Sequence, residues 1–247
     1  MEGGTVMTHG SLFSGIGGFE QAAQWVGIPS LWNCEIASYP RRVLERRFPE
    51  TKRYEDVKKL SNPEYVDIIN GGFPCQDISL AGKGVGIIGT RSGLWYEMYR
   101  IVREVRPRFV IIENSPALLY RGFERVLCDL SEVGYDAEWR CLSNADFGFD
   151  HRRERLYVIA YSNEVKRQAG RIQEWSQTQG IFVPPSNQHS GFSLAQRIFE
   201  MPDREHIGIN DGIQGWTHRI GCIGNAVNPV VAKYLFECII SVSYTHL

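Results

Sequence analysis

Residues 66–76 read Val-Asp-Ile-Ile-Asn-Gly-Gly-Phe-Pro-Cys-Gln. The apolar run before Asn70 predicts a buried strand. Gly71 and Gly72 open the loop that follows, and Pro74 stiffens it. A cysteine taken alone is more often a small buried side chain. Directly after a strand end and beside a proline, however, Cys75 is placed to act as a nucleophile.

Apolar runs of strand length alternate with longer amphipathic segments along the chain. This alternation predicts an α/β fold, with a mostly parallel sheet and helices on both of its faces. The predicted strands are Gly10–Phe13, Ser30–Cys34, Val66–Asn70, Phe109–Glu113, Tyr135–Leu142 and Arg155–Ala160. The predicted helices are Gly18–Val26, Pro40–Phe48, Leu94–Val105, Gly122–Val133 and Val230–Ile240.

The composition is that of an ordinary globular protein, with 43% hydrophobic and 22% charged residues in 247. No apolar run is long enough to span a membrane, and the first residues do not form a signal peptide. The six cysteines contain no Cys-x-x-Cys pair, so we expect no zinc site, no disulfide framework and a reducing cytoplasm. The net charge of −1 weighs mildly against nucleic-acid binding, but residues 151–155 form a basic group beside a predicted strand.

A Gly-rich turn follows the first predicted strand, where residues 11–20 read Ser-Leu-Phe-Ser-Gly-Ile-Gly-Gly-Phe-Glu. The turn lacks the Gly-x-Gly-x-x-Gly spacing of a pyrophosphate site, so a ligand such as S-adenosylmethionine fits better. Glu35 follows about twenty positions later, where Rossmann-like folds place a ribose-binding carboxylate. A surface glutamate at a strand end is the alternative for Glu35. Asp56 could accept a hydrogen bond from an adenine amino group.

The predicted strand Phe109–Glu113 ends in a carboxyl group. A glutamate at the carboxyl end of a parallel strand faces the ligand crevice. Burial there would raise its pKa and allow Glu113 to donate a proton. The basic segment 151–155, His-Arg-Arg-Glu-Arg, leads into the next predicted strand.

These blocks together resemble the cytosine-5 DNA methyltransferase family. The loop Gly-Phe-Pro-Cys-Gln-Asp-Ile-Ser-Leu-Ala-Gly-Lys at 72–83 is similar to the catalytic loop of that family. The other resembling blocks are the Gly-rich turn, Glu113-Asn114, the segment 146–155, and Gly-Asn-Ala-Val at 224–227. The chain departs from the family at Ser115, where the family has valine, and at His151, where it has glutamine.

The resemblance implies an S-adenosylmethionine-dependent methyltransferase fold and a chemistry for the reacting end. Cys75 would attack carbon 6 of a flipped-out cytosine, and Glu113 would act at ring nitrogen 3. Arg155 would hold the cytosine carbonyl oxygen near the thiol. For Arg153, catalysis and a structural or phosphate-binding role are both open.

The resemblance also implies a cofactor pocket. The methionine part would be wrapped by Phe13, Gly15, Gly17 and Gly18, and the ribose held by Glu35. The adenine would meet Ile36, Asp56 and Val57. Further cofactor contacts are implied for Pro74, Leu94, Asn225 and Ala226, with no metal site.

The chain divides into a catalytic and cofactor-binding domain at 8–161, a short target-recognition insert at 162–213 and a returning segment at 214–240. Residues 241–247 show no helical pattern; an artefactual tail and an ordinary frayed terminus are both open. The implied partner is double-stranded DNA bound by a monomer, with a cognate restriction endonuclease as a further partner. The Gly-rich segment 79–92 is expected to close over the target base.

Other functions stay open from the sequence. An amino-group methyltransferase would show Asp/Asn-Pro-Pro-aromatic where this chain has Phe73-Pro74-Cys75-Gln76. An RNA cytosine-5 methyltransferase shares the fold, and a non-catalytic DNA-binding relative is compatible with the short insert. A dehydrogenase is disfavoured because the dinucleotide fingerprint is missing.

Overall fold

A seven-stranded sheet organises the part of the chain that the structure describes. The structure is a computed structural model that describes residues 6–74, 93–165 and 226–244. Cys75, Asn225, the segment 79–92 and nearly all of the predicted insert lie outside the described residues. The strands are β1 His9–Leu12, β2 Ser30–Cys34, β3 Lys52–Tyr54, β4 Ile68–Gly71, β5 Phe109–Asn114, β6 Tyr135–Ser143 and β7 Glu154–Ser162.

The sheet order is β3-β2-β1-β4-β5-β7-β6. The five strands from β3 to β5 run parallel, whereas β7 is antiparallel to both of its neighbours, β5 and β6. This arrangement confirms the predicted Rossmann-like fold with a mostly parallel sheet. The chain crosses from β3 on one side of β1 to β4 on the other, which creates a switch point between β1 and β4. Ligands of such sheets bind outside the carboxyl ends of the strands at this point.

Helices cover both faces of the sheet, as predicted. They are α1 Gly18–Trp25, α2 Ser38–Arg47, α3 Leu94–Val105, α4 Phe123–Glu132 and α5 Pro229–Tyr244. Successive side chains of β5 point to opposite faces of the sheet and pack in two separate cores. Phe109 and Ile111 pack in the core with α1 and α5, whereas Val110 and Ile112 pack in the core with α3 and α4. A strand that is buried on both faces explains the unbroken apolar run in the sequence.

The predicted elements are all present, with ends shifted by one or two residues in most cases. The short strand β3 was not predicted, because Lys52 and Arg53 are exposed and show no apolar signal. The expectation that residues beyond Ile240 have no helical pattern is wrong, since α5 continues to Tyr244. There the hydroxyls of Ser241 and Ser243 donate to helix carbonyls, and Val242 is buried in the core.

The C-terminal helix returns to the first strand, as the sequence predicts. Asn228 begins α5: its side-chain oxygen accepts from the N–H of Val230 at 3.0 Å, and Pro229 occupies the first helical position. Phe236 of α5 meets the ring of His9 edge-on at 5.4 Å between centroids. None of the helices in the described part of the chain is long and apolar enough to cross a membrane.

Gly10 lies beside Trp32, its partner across β1 and β2. A methyl group on Gly10 would overlap the indole, which is fully buried and held by a 2.8 Å bond from its Nε1 to the carbonyl of Glu64. We expect Gly10→Ala to cost about 2–3 kcal/mol of stability through overpacking, measured by urea unfolding. Adding Trp32→Phe should recover part of the loss, whereas an unchanged unfolding midpoint in Gly10→Ala would contradict this packing.

Candidate active site

The Gly-rich turn after β1 forms one wall of the site. Phe13 and Gly15 both take left-handed backbone conformations, with φ of 55° and 56°. Such a conformation is common for glycine but costly for phenylalanine, and strained residues of this kind cluster at ligand sites. The N–H of Ser14 donates to the carbonyl of Cys34 at 3.1 Å, which ties the turn to the end of β2. Apart from its two neighbours in the chain, no atom of the described residues lies within 4 Å of a methyl group built on Gly15, so these residues leave that side of the turn open.

Glu35 lies directly against this turn. One carboxylate oxygen accepts from the N–H of Gly15 at 2.8 Å, and the other accepts from the N–H of Ala37 at 2.7 Å. Each oxygen has a second lone pair, so the fixed carboxylate can still accept from the two hydroxyls of a ribose. The structure therefore brings Gly15 and Glu35 together, although they are twenty positions apart in the sequence.

The three residues predicted to contact the adenine differ in how far their side chains are exposed. Ile36 is 70% exposed, which is unusual for a large apolar side chain and suits a flat ligand ring. Asp56 is half-buried. It lies near the same edge of the sheet as Ile36, since the N–H of Glu35 donates to the carbonyl of Tyr54, two residues before Asp56, at 3.1 Å. The side chain of Val57 is only 6% exposed and packs in the core, so this residue can reach a ligand through its backbone alone.

The last two glycines of the turn, Gly17 and Gly18, allow neighbouring residues to pack closely against the backbone. A methyl group on Gly17 would lie 2.5 Å from the Phe48 ring, and one on Gly18 would overlap the carbonyl of Val227. The contact at Gly18 brings the neighbouring Ala226 to the turn. Leu94 begins α3 and is half-buried against the core on the other side of the sheet. Pro74, the last described residue before Cys75, is exposed.

The reacting end of the site is built around Glu113 at the end of β5. Its side chain is nearly buried, and its Oε1 lies 3.1 Å from Nε of Arg155, near the start of β7. Burial raises the pKa of the Glu113 carboxyl, while Arg155 and Arg153 oppose the rise. A proton on this carboxyl therefore persists to higher pH than on an ordinary glutamate.

Gly72 lies directly against the Glu113 carboxylate. A methyl group built on Gly72 would lie 2.8 Å from Oε2 of Glu113. Cys75 is three residues further along, so its Cα lies within about 11 Å of that of Gly72. The loop that carries the thiol thus starts at the carboxyl group.

Asn114 is a site residue that the sequence reasoning did not single out. Its amide nitrogen donates to the carbonyl of Phe73 at 2.9 Å, in a buried contact. Its amide oxygen accepts from the N–H of Ser115 at 2.8 Å, which fixes the side chain. Asn114 therefore anchors the start of the Pro74-Cys75 segment. The signal in the sequence was its position next to Glu113 at the same strand end.

The basic segment 151–155 surrounds this end of the site. Arg153 is half-buried, and burial together with the neighbouring Arg155 lowers its pKa. His151, which stands where the family has glutamine, is exposed, and its Nε2 lies 2.7 Å from the amide nitrogen of Asn144. The oxygen of Asn144 accepts from Asn228 at 3.2 Å. The histidine thus belongs to a polar link between the basic segment and the start of α5.

Within the described ranges, no group of three or more His, Cys, Asp or Glu side chains is arranged to hold a metal ion. The sheet order, the Gly-rich turn and the crevice at the switch point define a Rossmann-like methyltransferase fold. The model of the C-5 cytosine-specific DNA methylase family matches residues 7–207, and the chain belongs to this family.

Known proteins with similar sequences include type II methyltransferases of bacteria and of a Chlorella virus. The type II methyltransferase M.NgoBI of Neisseria gonorrhoeae is 34% identical over 160 residues, which cover 62% of this chain and 50% of that protein. The type II methyltransferase M.HhaI of Haemophilus parahaemolyticus is 32% identical over 163 residues, covering 64% and 50%. The chain therefore spans about half the length of the curated relatives it matches.

A solved structure matches over almost the whole chain. The methyltransferase EhMeth of Entamoeba histolytica has a TM-score of 0.65 and covers 96% of this chain and 99% of its own. At 17% identity the similarity is one of fold.

Proposed function

We propose that the protein is a DNA (cytosine-5)-methyltransferase that uses S-adenosylmethionine and a covalent cysteine adduct. The single observation that carries this proposal is the contact of Glu113, Arg155 and Gly72. A nearly buried carboxyl group lies in an ion pair 3.1 Å from a guanidinium, against the glycine that begins the Gly-Phe-Pro-Cys loop. Such a set supplies a proton donor and a carbonyl-oxygen ligand at the start of the loop whose sequence contains Cys75.

The residues near the Gly-rich turn fit S-adenosylmethionine. Glu35 offers two oriented oxygens for the ribose, Ile36 an exposed apolar surface for the adenine and Asp56 an acceptor for its amino group. The open side of Gly15 leaves room for the methionine part. When bound, the cofactor supplies an electrophilic methyl group.

Carbon 5 of cytosine is a poor nucleophile, so the protein must activate the ring. The thiolate of Cys75 would add to carbon 6, which makes carbon 5 electron-rich. A thiol has a pKa of about 8.5, so a nearby cation or base must favour the thiolate. Arg155 and Arg153 bring positive charge to this end of the site. Glu113 would donate its proton toward ring nitrogen 3, and Arg155 would hold the carbonyl oxygen of cytosine in a fixed fork.

The remaining steps return the enzyme to its starting state. Carbon 5 takes the methyl group and would then lose its proton to solvent. The electron pair left behind would form the double bond to carbon 6 as Cys75 departs as a thiolate, and ring nitrogen 3 would return its proton to Glu113. The target base must leave the duplex for this chemistry, as with other enzymes that act on a base.

The names of the type II relatives motivate two further proposals: double-stranded DNA as substrate and a restriction endonuclease as functional partner. Target recognition by the insert and action as a monomer also stay proposals.

A covalent trap tests the reaction. Wild type, Cys75→Ala and Cys128→Ala are incubated with S-adenosylmethionine and duplex DNA that contains 5-fluorocytosine. The control Cys128 is an exposed free thiol far from β4 in the sequence. Release of the enzyme requires the loss of a proton from carbon 5. A fluorine atom at that position cannot be lost in this way, so the adduct should persist. We expect a stable adduct with wild type and Cys128→Ala and none with Cys75→Ala, seen by denaturing gel and mass spectrometry.

The opposite results are equally informative. An adduct that survives in Cys75→Ala would exclude the proposed nucleophile. If none of the three proteins reacts with DNA although the cofactor binds, the same trap with fluorinated RNA is the next test. Reaction with RNA alone would identify an RNA cytosine-5 methyltransferase, and no reaction with either would identify a non-catalytic relative.

A further inference from the structure

A layer of polar side chains is buried between α1 and the sheet, directly beneath the Gly-rich turn. Three neighbouring strands contribute to it at the same level, since Ser11 of β1 pairs with Asn33 of β2 and Asn70 of β4. Their neighbours Leu12, Trp32 and Ile69 pack in the opposite core, so the polar side chains face α1. Every member is at most 1% exposed: His9, Ser11, Glu20, Asn33 and Asn70.

Most of this layer is joined in one hydrogen-bonded chain. His9 contacts Ser30 through Nδ1 at 2.7 Å and the oxygen of Asn70 through Nε2. The amide nitrogen of Asn70 donates to the hydroxyl of Ser11 at 3.2 Å, and the hydroxyl of Ser14 donates to the same oxygen at 2.9 Å. Ser11 accepts two bonds, so its own proton is left to donate. Glu20, on the first turn of α1, is the neighbouring acceptor.

Glu20 is nevertheless unsatisfied. Neither of its carboxyl oxygens accepts a hydrogen bond of normal geometry among the described residues, although the hydroxyls of Ser11 and Ser14 lie near enough to influence it. The amide nitrogen of Asn33 also has no hydrogen-bond partner there. Burial raises the pKa of Glu20 to about 7, although the hydroxyls of Ser14 and Ser11 oppose the rise. Buried polar groups without partners are rare in proteins. A fully buried carboxylate here would also be costly without a compensating charge.

In the described part of the chain, Glu20 forms no ion pair with the charged and titratable groups around it. Burial lowers the pKa of His9 to about 4 and raises that of Cys34 to about 12, so both stay neutral near pH 7. Glu35 is itself acidic and further disfavours ionisation of Glu20. Arg47 of α2 is within electrostatic range, but its guanidinium donates to Gln21. On α5, Lys233 pairs with Glu237 at 2.6 Å.

We propose that Glu20 is the buried counter-charge for the cationic cofactor, and that binding of S-adenosylmethionine expels a proton from Glu20 into solvent. The inference rests on the proposed function, because the cofactor would occupy the outer side of the turn whose inner side meets Glu20. The sulfonium gives S-adenosylmethionine one more positive charge than S-adenosylhomocysteine. Charges separated by one layer of protein interact more strongly than in water. Glu20 acts here as a positioning residue and does not touch the reacting atoms.

The sign of the pH dependence follows from linkage. A bound cation favours the ionised carboxylate, so it lowers the pKa of Glu20 and releases the proton. With a pKa of about 7, about half of the free protein carries that proton at pH 7, and binding there should release about half a proton. The affinity for S-adenosylmethionine should rise by about tenfold between pH 6 and pH 8 and then level off.

Isothermal titration calorimetry of the full chain measures both effects. Titrations with S-adenosylmethionine and S-adenosylhomocysteine are made at pH 6, 7 and 8, in phosphate and in imidazole, whose ionisation enthalpies differ. The variants are Glu20→Gln and the control Glu124→Gln, an exposed acid on the first turn of α4. We expect proton release and the tenfold pH dependence in wild type and in Glu124→Gln, and neither in Glu20→Gln. S-adenosylhomocysteine should release less than half as much.

Several outcomes would overturn the proposal. These are undiminished proton release in Glu20→Gln, pH-independent affinity in wild type, or equal release with the two compounds. The comparison of the two compounds needs wild type only, so it decides the question even if Glu20→Gln does not fold. Binding without proton release would reject this inference and leave the proposed function intact. No binding of either compound by wild type would reject the proposed cofactor and the inference with it.

Discussion

Glutamine in place of Glu113 is expected to lower the rate of methyl transfer by about a hundred- to a thousand-fold. Glutamine keeps the shape of the side chain and can still donate a hydrogen bond to a ring nitrogen, but it cannot transfer a proton. General acid catalysis contributes about 10²- to 10⁴-fold in enzymes. The proposed cofactor residues Gly15 and Glu35 lie at the ends of other strands, so cofactor affinity should change by less than about twofold.

The pH profile provides a second readout of the same substitution. Burial raises the pKa of Glu113 more than Arg155 and Arg153 lower it, so the acid form extends toward neutral pH. A rate that needs this acid form must fall as pH rises through the pKa of Glu113. The profile of Glu113→Gln should lack that fall and keep the rise that accompanies ionisation of Cys75.

Single-turnover transfer of a labelled methyl group to DNA measures both quantities. Glu154→Gln is the matched control, since Glu154 is an exposed acid one residue before Arg155 and makes its contact to Arg155 through its backbone carbonyl. We expect the control to react at nearly the wild-type rate with the wild-type pH profile. A Glu113→Gln protein that folds and works within about tenfold of wild type would remove Glu113 from the chemistry.

The sequence predicts the elements of the fold well where burial leaves a periodic signal. Residues 109–112 form an unbroken apolar run before Glu113, and the structure places this strand in the middle of the sheet with core on both faces. The packing of α5 beside β1 was implied by the family resemblance, which places the Gly-Asn-Ala-Val block at the cofactor pocket, and Phe236 of α5 does contact His9 of β1. The end of α5 was missed because serines are weak helix formers in the sequence, although their hydroxyls bond to the helix itself.

The parts of the site that depend on contacts between distant residues could not be predicted. Asn114 and Phe73 are 41 residues apart, and only the fold shows that one anchors the other. The orientation of the Val57 side chain into the core depends on the turn after β3, and the sequence of this turn has no periodic pattern of apolar residues. Glu20 lies in the predicted helix Gly18–Val26 with no mark of burial in the sequence, and its burial follows from the close approach of α1 to the sheet.

Alanine at Gly72 and alanine at Gly71 are expected to separate activity from stability. The two neighbouring glycines face opposite sides of the chain. A methyl group on Gly72 would lie 2.8 Å from the Glu113 carboxylate, whereas one on Gly71 would lie 2.9 Å from the sulfur of Met98 in the core. The overlaps are similar in size, but one affects a reacting group and the other a flexible apolar side chain.

Gly72→Ala should therefore reduce methyl transfer by about a hundred-fold, because the carboxylate must move by a few tenths of an ångström or more away from its position beside Arg155. Small misplacements of reacting groups have costs of this order. Gly71→Ala should reduce stability by about 1 kcal/mol through overpacking, which Met98 can partly relieve. Thermal unfolding followed by circular dichroism, together with single-turnover rates per folded molecule, distinguishes the two. If Gly71→Ala were the slower enzyme, or Gly72→Ala the less stable protein with a normal rate, the proposed role of the contact between Gly72 and the Glu113 carboxyl would be wrong.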